Sequence, residues 1–154
     1  MSEYRATVEW RRETADFEYK TYNRSHALHF GNGNRVPGTA APGNVPKTAI
    51  GAPGVDPEQA FVGSLSSCHM LWFLHLACEA GYTVDRYADD AVGLMTKNAE
   101  GRIAITEVRL SPAVLFSGRA PSPAEHEKLH REAHEKCYIA NSVTSEIVLE
   151  PRIA

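Results

Sequence analysis

The sequence predicts an α+β fold in which two helices are combined with short, mainly antiparallel strands. Each helix begins with an N-cap residue, a proline at the first helical position, and an acid or amide that completes a capping box. These signals stand at 56–59, Asp-Pro-Glu-Gln, and at 122–125, Ser-Pro-Ala-Glu. Segments of alternating polar and apolar residues lie before, between and after the helices, which predicts the element order β-β-α-β-β-α-β.

The N-terminal third predicts strands followed by a long loop. Residues 4–10 alternate between apolar and polar side chains, which is typical of a half-buried strand. Residues 16–30 alternate aromatic and polar residues and predict further strand, ended by a Gly-Asn-Gly-Asn turn at 31–34. Residues 31–56 are rich in Gly and Pro, and a loop of this length in a compact domain is usually functional or disordered.

The first helix is predicted over 57–80, with Gly81 as its terminator, and would be about 36 Å long. Within it, residues 59–78 carry no Asp, Glu, Lys or Arg, a length sufficient to cross a bilayer. The segment nevertheless contains serines and histidines, and no other segment resembles it. We therefore expect a buried central helix and no membrane partner.

The C-terminal half predicts strands around a second helix that runs from the cap at Ser122 to about Lys136. The first two strands form a hairpin, whose turn is Asn-Ala-Glu-Gly at 98–101. A further segment extends the second strand beyond Pro112, and another closes the chain. The predicted strand segments are 90–97, 102–110, 113–117 and 144–150.

The bulk composition excludes several classes of protein. The 154 residues, 43% of them hydrophobic, predict a single domain over 1–154. The formal net charge is −3 with both signs scattered, so nucleic acid is not an expected partner. The N-terminus lacks the pattern of a secretory signal, and we expect a cytoplasmic protein. No Gly-rich phosphate loop, Ser-His-Asp order or CxxC pair is present, and no cofactor is expected.

The cysteines are the candidates for chemistry. Three widely separated cysteines do not make a disulfide framework. Cys68 lies twelve residues past the cap of the first helix, too far for the helix dipole to help a thiolate. Its helical face is apolar, so a reactive Cys68 requires a cation from elsewhere in the fold. From these residues alone, a role as a small core residue is the favoured alternative.

The other two cysteines differ in their surroundings. Cys137 follows Lys136 at the end of the second helix, where the helix dipole disfavours a thiolate. It is therefore better suited to resolving a sulfenic acid than to attacking first, although core packing is again favoured by the residues alone. Cys78 shares a helical face with Leu71 and Leu74, and we interpret it as a core residue.

Histidines on the second helix raise the question of a metal site. His126, His130 and His134 recur every four residues, with Cys137 three further on, a spacing that can bring metal ligands together. The intervening residues are mostly charged, so we interpret the histidines as part of a polar, solvated outer face and keep a metal site as the alternative. Two histidines of the first helix are interpreted as satisfied core or interface residues, His69 and His75.

Two motifs about seventy residues apart resemble those of the OsmC/Ohr family, the osmotically induced and organic hydroperoxide resistance proteins. In that family Asn-Pro-Glu-Glu or Asn-Pro-Glu-Gln precedes a helix that bears a cysteine ten positions after the Glu. Here the segments 56–59 and 66–70, Ser-Ser-Cys-His-Met, resemble that motif. Residues 134–142 resemble the second-cysteine motif, but Tyr138 stands where Pro is typical. The strand before Gly31 is also longer and more aromatic, which indicates a less characterised OsmC-like branch.

The resemblance implies a thiol-dependent peroxidase that reduces organic hydroperoxides to alcohols. It implies an intertwined homodimer, with two long central helices packed together, sites at the interface, and a dithiol reductant of the lipoyl type. The peroxidatic cysteine falls on Cys68, the resolving cysteine on Cys137 and the active-site glutamate on Glu58. An N-terminal arginine maps by position onto Arg24, and weaker candidates are Arg11, Arg12 and Arg35.

The spacing of Glu58 and Cys68 agrees with an interface site. The two residues are about 15 Å apart along a straight helix, so their side chains cannot meet within one chain. Two such helices that cross antiparallel bring one chain's Glu58 towards the other chain's Cys68. The alternatives are an OsmC-like binder of a small apolar ligand or redox sensor, and a metal protein that uses the histidines of the second helix and Cys137.

Overall fold

The computed structural model describes residues 1–49 and 51–154. This part of the chain forms two compact units, Met1–Ala60 and Phe61–Ala154. The elements agree with the predicted α+β class, since two helices are combined with strands that pair mainly antiparallel.

The first unit contains a three-stranded antiparallel sheet. Its strands are β1 (Ala6–Glu9), β2 (His26–Phe30) and β3 (Arg35–Gly38), in the order β1-β2-β3. The predicted turn follows β2, where Phe30 N donates to Asn34 O over 2.9 Å. A 3₁₀ turn at Lys47–Ala49 lies in the loop that leads to the first helix.

Two predictions for this unit are corrected. β1 lies at the edge of its sheet and is exposed along its whole length, so the half-buried prediction is wrong. The strand predicted over 16–30 exists only as β2, because the aromatic residues before it pack on one another rather than on a sheet face. Phe17 and Tyr22 lie 4.9 Å apart between ring centroids, and Trp10 packs against both.

Helix α1 (Pro57–Glu79) begins and ends where the sequence predicts, to within one residue. The carboxylate of Asp56 accepts a hydrogen bond from Gln59 N over 2.8 Å, which satisfies a backbone donor of the first turn. At the other end Tyr82 N donates to Ala77 O and Gly81 adopts a φ of 76°, a glycine-dependent termination of the Schellman type.

Within the second unit α1 is covered on one face only. The buried residues of the helix share one side, and they are Leu65, His69, Phe73, Leu76 and Ala77. On another side Leu71 remains 61% exposed. The helix is long and apolar enough to cross a membrane by length and composition. Its buried face nevertheless packs as the central helix of this unit, so the expectation of a buried helix is met in part.

Two three-stranded sheets accompany this helix. In both, an antiparallel pair is extended by a parallel C-terminal strand. One has the order β4-β7-β9 and the other β5-β6-β8. The strands are β4 (Thr83–Asp89), β5 (Val92–Lys97), β6 (Ile103–Leu110), β7 (Pro112–Ser117), β8 (Glu146–Leu149) and β9 (Arg152–Ile153).

The segment predicted as an extension of the second hairpin strand is a strand of the other sheet. β6 ends at Leu110 and β7 begins at Pro112, so the chain changes sheets at Ser111. A proline has no N–H for a sheet ladder and is tolerated at the first residue of a strand. Ser111 N donates instead to the carboxylate of Asp89 over 2.7 Å, which fixes this corner.

Helix α2 (Pro123–Lys136) has the predicted capping box. Glu125 N donates to Ser122 Oγ over 3.3 Å, and Ser122 N donates to the carboxylate of Glu125 over 2.8 Å. The predicted solvated face is wrong for His126 and His130, which are 4% and 1% exposed. They share the buried stripe of the helix with Leu129 and Ala133, while the charged residues between them point to solvent.

The core of this unit consists of two hydrophobic clusters, and α1 contributes to both. Phe73 belongs to the cluster that contains Val114 and residues of α2. Leu65 belongs to the cluster formed with Val108 and Leu110 of β6. Cys68 lies on the helix between these two anchors, so its position is fixed on both sides.

Candidate active site

The sequence-predicted cysteines Cys68 and Cys137 meet in the second unit. Cys68 is partly buried on α1, and Cys137, only 1% exposed, is the residue directly after α2. Both thiols are free, and the side chain of Cys68 lies close enough to Cys137 to influence its pKa. The packing of α2 on α1 therefore joins residues that are far apart in the sequence.

The surroundings of Cys137 favour its protonated form. Burial raises the pKa of its thiol to about 11, and the nearby Cys68 side chain acts in the same direction. A backbone N–H bond from Ala140, 3.4 Å from the sulfur, opposes the shift. The raised pKa favours the protonated thiol of Cys137.

Cys68 also lines a surface groove of about 520 Å³, which we call the thiol groove. Its walls are largely apolar and aromatic. The ring of Trp72 meets the rings of His75 and Tyr138 edge-on, with centroids 5.6 and 5.5 Å apart. The groove therefore offers an apolar group a place beside the Cys68 sulfur. The lining residues are Ser64, Ser67, Cys68, Leu71, Trp72, His75 and Tyr138.

The positions of Lys136 and Cys78 differ from those expected from the sequence. The ammonium of Lys136 lies over the ring of Trp72, 5.6 Å from its centroid, rather than against Cys137. Cys78 is exposed, so its interpretation as a core residue is wrong. Because α1 is apolar on nearly all sides, the sequence does not indicate which side is covered, and the side that carries Leu71 and Cys78 is open.

Arg24 is a buried cation of the first unit. It is 8% exposed, and its guanidinium donates to the carbonyls of Tyr22 and Tyr19 over 2.7 and 3.0 Å. The same group lies 3.2 Å from the centroid of the Tyr22 ring. In the part of the chain that the structure describes, Arg24 forms no ion pair, so its positive charge has no carboxylate beside it.

The other candidate arginines are exposed and differently bound. Arg11 pairs with Glu9 over 2.8 Å, and Arg12 donates to a neighbouring backbone carbonyl. Arg35 is exposed on β3. Burial and a fixed guanidinium therefore distinguish Arg24 from the three alternatives.

Glu58 and Arg24 line one cavity of about 530 Å³ in the first unit, which we call the aromatic cavity. Trp10, Phe17 and Tyr22 supply its aromatic wall. Glu58 accepts a hydrogen bond from the Asn44 amide over 3.0 Å and forms no ion pair with Arg24. Arg24 and Glu58 therefore line the same cavity, but each is fixed by its own hydrogen bonds.

Three buried histidines form a group in the second unit, of which the sequence predicted only His69 to be buried. His69 Nε2 and His130 Nδ1 are 2.9 Å apart, and His130 Nε2 and His126 Nε2 are 3.2 Å apart. Burial lowers the pKa of His69 to about 4 and that of His130 to about 3, and neighbouring imidazoles add to both shifts. His126 and His130 lie on the same side of α2 as Leu129 and Ala133. This helical spacing was the sequence feature that could have predicted their burial.

The histidines of α2 are arranged differently from the metal site that the sequence left as an alternative. Within residues 1–49 and 51–154, no group of three or more His, Cys, Asp or Glu side chains is arranged to hold a metal ion. The nitrogens of His69, His130 and His126 are bonded to one another instead.

The chain is similar in sequence and structure to OsmC-like proteins. The family model described as "OsmC-like protein" matches residues 50–152. A solved OsmC-like protein of unknown function from Vibrio cholerae is 44% identical, with a TM-score of 0.95, and the alignment covers 99% of this chain and 100% of that one. No curated protein is similar to the chain at a significant level.

More distant solved structures share the fold. An OsmC-like protein from Mycoplasma pneumoniae is 15% identical with a TM-score of 0.76, covering 99% of this chain and 98% of that one. An organic hydroperoxide resistance protein from Elizabethkingia anophelis, with thiocyanate bound, is 15% identical with a TM-score of 0.70, covering 100% and 96%. At this identity the likeness concerns the fold alone, and it confirms the predicted fold class.

Proposed function

Because the chain belongs to the OsmC-like protein family, we propose that it is a cytoplasmic thiol-dependent peroxidase that reduces organic hydroperoxides to alcohols. The observation that carries the proposal is the proximity of Cys137 to Cys68, which lines the thiol groove. A peroxidase of this type requires one sulfur that attacks the peroxide and a second thiol within reach of it.

In the first step Cys68 attacks as a thiolate. The thiol of Cys137 donates a hydrogen bond to this thiolate. The thiolate attacks the terminal oxygen of the hydroperoxide, an S–O bond forms and the O–O bond breaks. The departing alkoxide takes up a proton and leaves as alcohol, while the sulfur is oxidised by two electrons to a sulfenic acid. The apolar groove favours a hydroperoxide with an apolar tail over hydrogen peroxide.

In the second step Cys137 resolves the sulfenic acid. Its sulfur attacks the sulfur of Cys68, an S–S bond forms, and the hydroxyl group leaves as water with the proton of the Cys137 thiol. An external dithiol then reduces the disulfide by exchange. We propose a dithiol of the lipoyl type, as the resemblance to the family implies.

The cation that Cys68 requires is assigned to Arg24 of a second copy. In the proposed homodimer, two α1 helices cross antiparallel and each chain's aromatic cavity faces the other chain's thiol groove. The exposed apolar side of α1, with Leu71, supports such a contact, since a face of this kind is usually covered. Arg24 would then stabilise the thiolate by a charge-assisted hydrogen bond, and Glu58 would orient the bound groups.

A binder or redox sensor with little turnover is the second candidate. It is favoured by the aromatic cavity, whose 530 Å³ and buried arginine suit a small apolar anion. Steady-state consumption of hydroperoxide separates the two functions, because a sensor is oxidised once per chain and then stops.

The proposal is tested by intact mass measurement and non-reducing peptide mapping after one equivalent of cumene hydroperoxide. The expected product has lost two hydrogens per chain and contains a Cys68–Cys137 linkage. Cys78→Ser is the matched control, because it removes an exposed thiol outside the pair and should give the same product. Unmodified thiols with the peroxide still present would make the cysteines structural and leave binding as the leading function.

A further inference from the structure

Three imidazoles form a continuous hydrogen-bonded chain through the second unit. His69 of α1 is joined to His130 of α2 over 2.9 Å, and His130 to His126 over 3.2 Å. The exposed fractions are 1% for His69, 1% for His130 and 4% for His126. The rings of His69 and His130 are stacked with 7° between their planes. Both nitrogens of His130 are therefore used, one towards each neighbour.

This chain has two equivalent arrangements of its protons. A neutral imidazole has one N–H donor and one acceptor nitrogen, so each contact needs the donor on one side only. In the first arrangement His69 Nε2 donates to His130 Nδ1, and His130 Nε2 donates to His126 Nε2. In the second, all donors and acceptors are exchanged. A switch from one to the other moves one proton along the chain and leaves every ring neutral.

The inner end of the chain lies in the segments that carry the cysteine pair. His69 follows Cys68 directly in α1, and its Nδ1 is buried without a hydrogen-bond partner among the described residues. His134, whose charge would act on His69, lies three residues before Cys137 and has a similarly unpartnered buried Nδ1. Both unpartnered nitrogens therefore belong to the turns of helix that present the thiols.

The outer end of the chain is at the surface. His126 lines a surface cavity of about 530 Å³, which we call the outer cavity. It is formed by the first turn of α2 and the C-terminal residues Leu149, Pro151 and Arg152. The outer cavity and the thiol groove have no lining residue in common, so an occupied groove leaves the outer cavity open.

We propose that His69, His130 and His126 form a proton wire between the interior beside the cysteine pair and the outer cavity. Its use in catalysis rests on the proposed peroxidase function. An apolar hydroperoxide in the thiol groove excludes water from Cys68, and the wire then provides another route for proton exchange.

Each transfer is balanced. When a thiolate forms at Cys68, the buried Nδ1 of His69, which has no hydrogen-bond partner among the described residues, takes up one proton from the side of the cysteine pair. His69 passes its Nε2 proton to His130, His130 passes one to His126, and His126 releases one at its Nδ1 to solvent. When the alkoxide leaves, one proton moves in the opposite direction and restores the first arrangement. No net charge accumulates on the rings.

The environment of the rings suits such transfer. Phe73 stacks on His130 with centroids 4.2 Å apart, and the ring of Tyr87 lies beside it at 6.5 Å. Burial lowers the pKa values of His69, His130 and His126, and the two neighbouring rings lower that of His130 further, so the resting chain is neutral. A charged ring would stop the exchange of donor and acceptor.

The direct test is nitrogen-15 NMR of the imidazoles in the full-length reduced protein, a readout that needs no peroxidase activity. In the wild type, His69 is expected to show both tautomers in exchange and rapid exchange of its ring proton with deuterated water. His130→Gln keeps a donor and an acceptor but cannot pass a proton, so His69 should adopt one tautomer and exchange at least about tenfold more slowly. His29→Gln, in the first unit, is the control and should change neither.

A single His69 tautomer in the wild type, with the same exchange rate in His130→Gln, would overturn the wire. If His130→Gln does not fold, His126→Ala replaces it, because His126 borders the outer cavity. Added imidazole should enter there and restore the exchange rate of His69. Lack of restoration, with a folded variant, would equally contradict the proposal.

The catalytic use is tested by the rate of Cys68 oxidation in stopped flow, in ordinary and deuterated water. His130→Gln and His126→Ala should slow it about tenfold or more, with restoration of His126→Ala by imidazole. Unchanged rates and isotope effects in both variants would exclude this use. A wild type that consumes no hydroperoxide would contradict the proposed function, while the NMR result still decides whether the wire exists.

Discussion

The guanidinium of Arg24 lies 3.2 Å from the centre of the Tyr22 ring and donates to the backbone carbonyls of Tyr22 and Tyr19. Stacking and two hydrogen bonds fix the plane of the cation before any ligand arrives. A lysine in the same place would have a single ammonium without that planar geometry.

Replacing Arg24 is therefore expected to affect the reaction more than the fold. Arg24→Ala should lower the second-order rate constant of Cys68 oxidation by about a hundredfold, the cost of one preorganised donor at a developing charge. Arg24→Lys should restore only a small part. The measurement is stopped-flow oxidation by cumene hydroperoxide, with Arg35→Ala as the control. If Arg24→Ala reacts at the same rate as the wild type, Arg24 has no role in the reaction of Cys68.

Removing the second thiol should separate attack from resolution. Cys68→Ser is expected to abolish peroxide consumption. Cys137→Ser should retain the first turnover but leave a persistent sulfenic acid, which excess peroxide oxidises further to sulfinic and sulfonic acids. Mass spectrometry after increasing peroxide detects these products, with Cys78→Ser as control. If Cys137→Ser and the wild type respond identically to excess peroxide, Cys137 has no resolving role.

The buried histidines predict a loss of stability in acid. The folded state lowers the pKa of His69 from 6.5 to about 4 and that of His130 from 6.5 to about 3, so the unfolded chain binds more protons below pH 6.5. Stability is complete above that pH and falls as pH decreases towards these values. The expected slope is about 1.4 kcal/mol per pH unit for each histidine.

Urea denaturation at a fixed protein concentration, between pH 7.5 and pH 4.5, measures this slope. His130→Gln removes one of the two groups, so its free energy of unfolding should depend less steeply on pH than that of the wild type. The carboxylates contribute equally to both proteins and do not affect this comparison. Parallel curves for the two proteins would show that His130 is not held neutral by the fold.

The aromatic wall of the thiol groove predicts selectivity. Trp72→Ala removes the ring that contacts both His75 and Tyr138. It should lower the preference for cumene hydroperoxide over hydrogen peroxide by about tenfold, because loss of apolar contact weakens the larger substrate selectively. The ratio of the two kcat/KM values is the measurement. A preserved ratio with both rates reduced would indicate damage to the cysteine pair instead.

Local signals predicted the helices well. The N-caps Asp56 and Ser122 and the terminator Gly81 act within a few residues, and the structure has both helices within one residue of the prediction. β4 was missed because its TVDRYAD sequence contains three charged residues and no fully buried one. Its pairing with β7 depends on a segment more than twenty residues later.

The site was less accessible to sequence reasoning, for the same physical reason. The contact of Cys68 with Cys137 depends on the packing of α1 on α2, and residue properties alone favoured two core cysteines. Only the resemblance of the two motifs singled them out as a pair. The burial of His130 was mispredicted because charged neighbours in sequence do not show which side of a helix faces the core.

The contact between α1 and the end of α2 links oxidation to rigidity. A bond between Cys68 and Cys137 would close a loop of about 70 residues, and removing that freedom from the unfolded chain is worth about 4 kcal/mol. The oxidised protein would then withstand heat and proteolysis better than the reduced one. In each catalytic cycle the protein would alternate between a more stable oxidised form and a less stable reduced form. The reductant would have to act on the more stable, oxidised form.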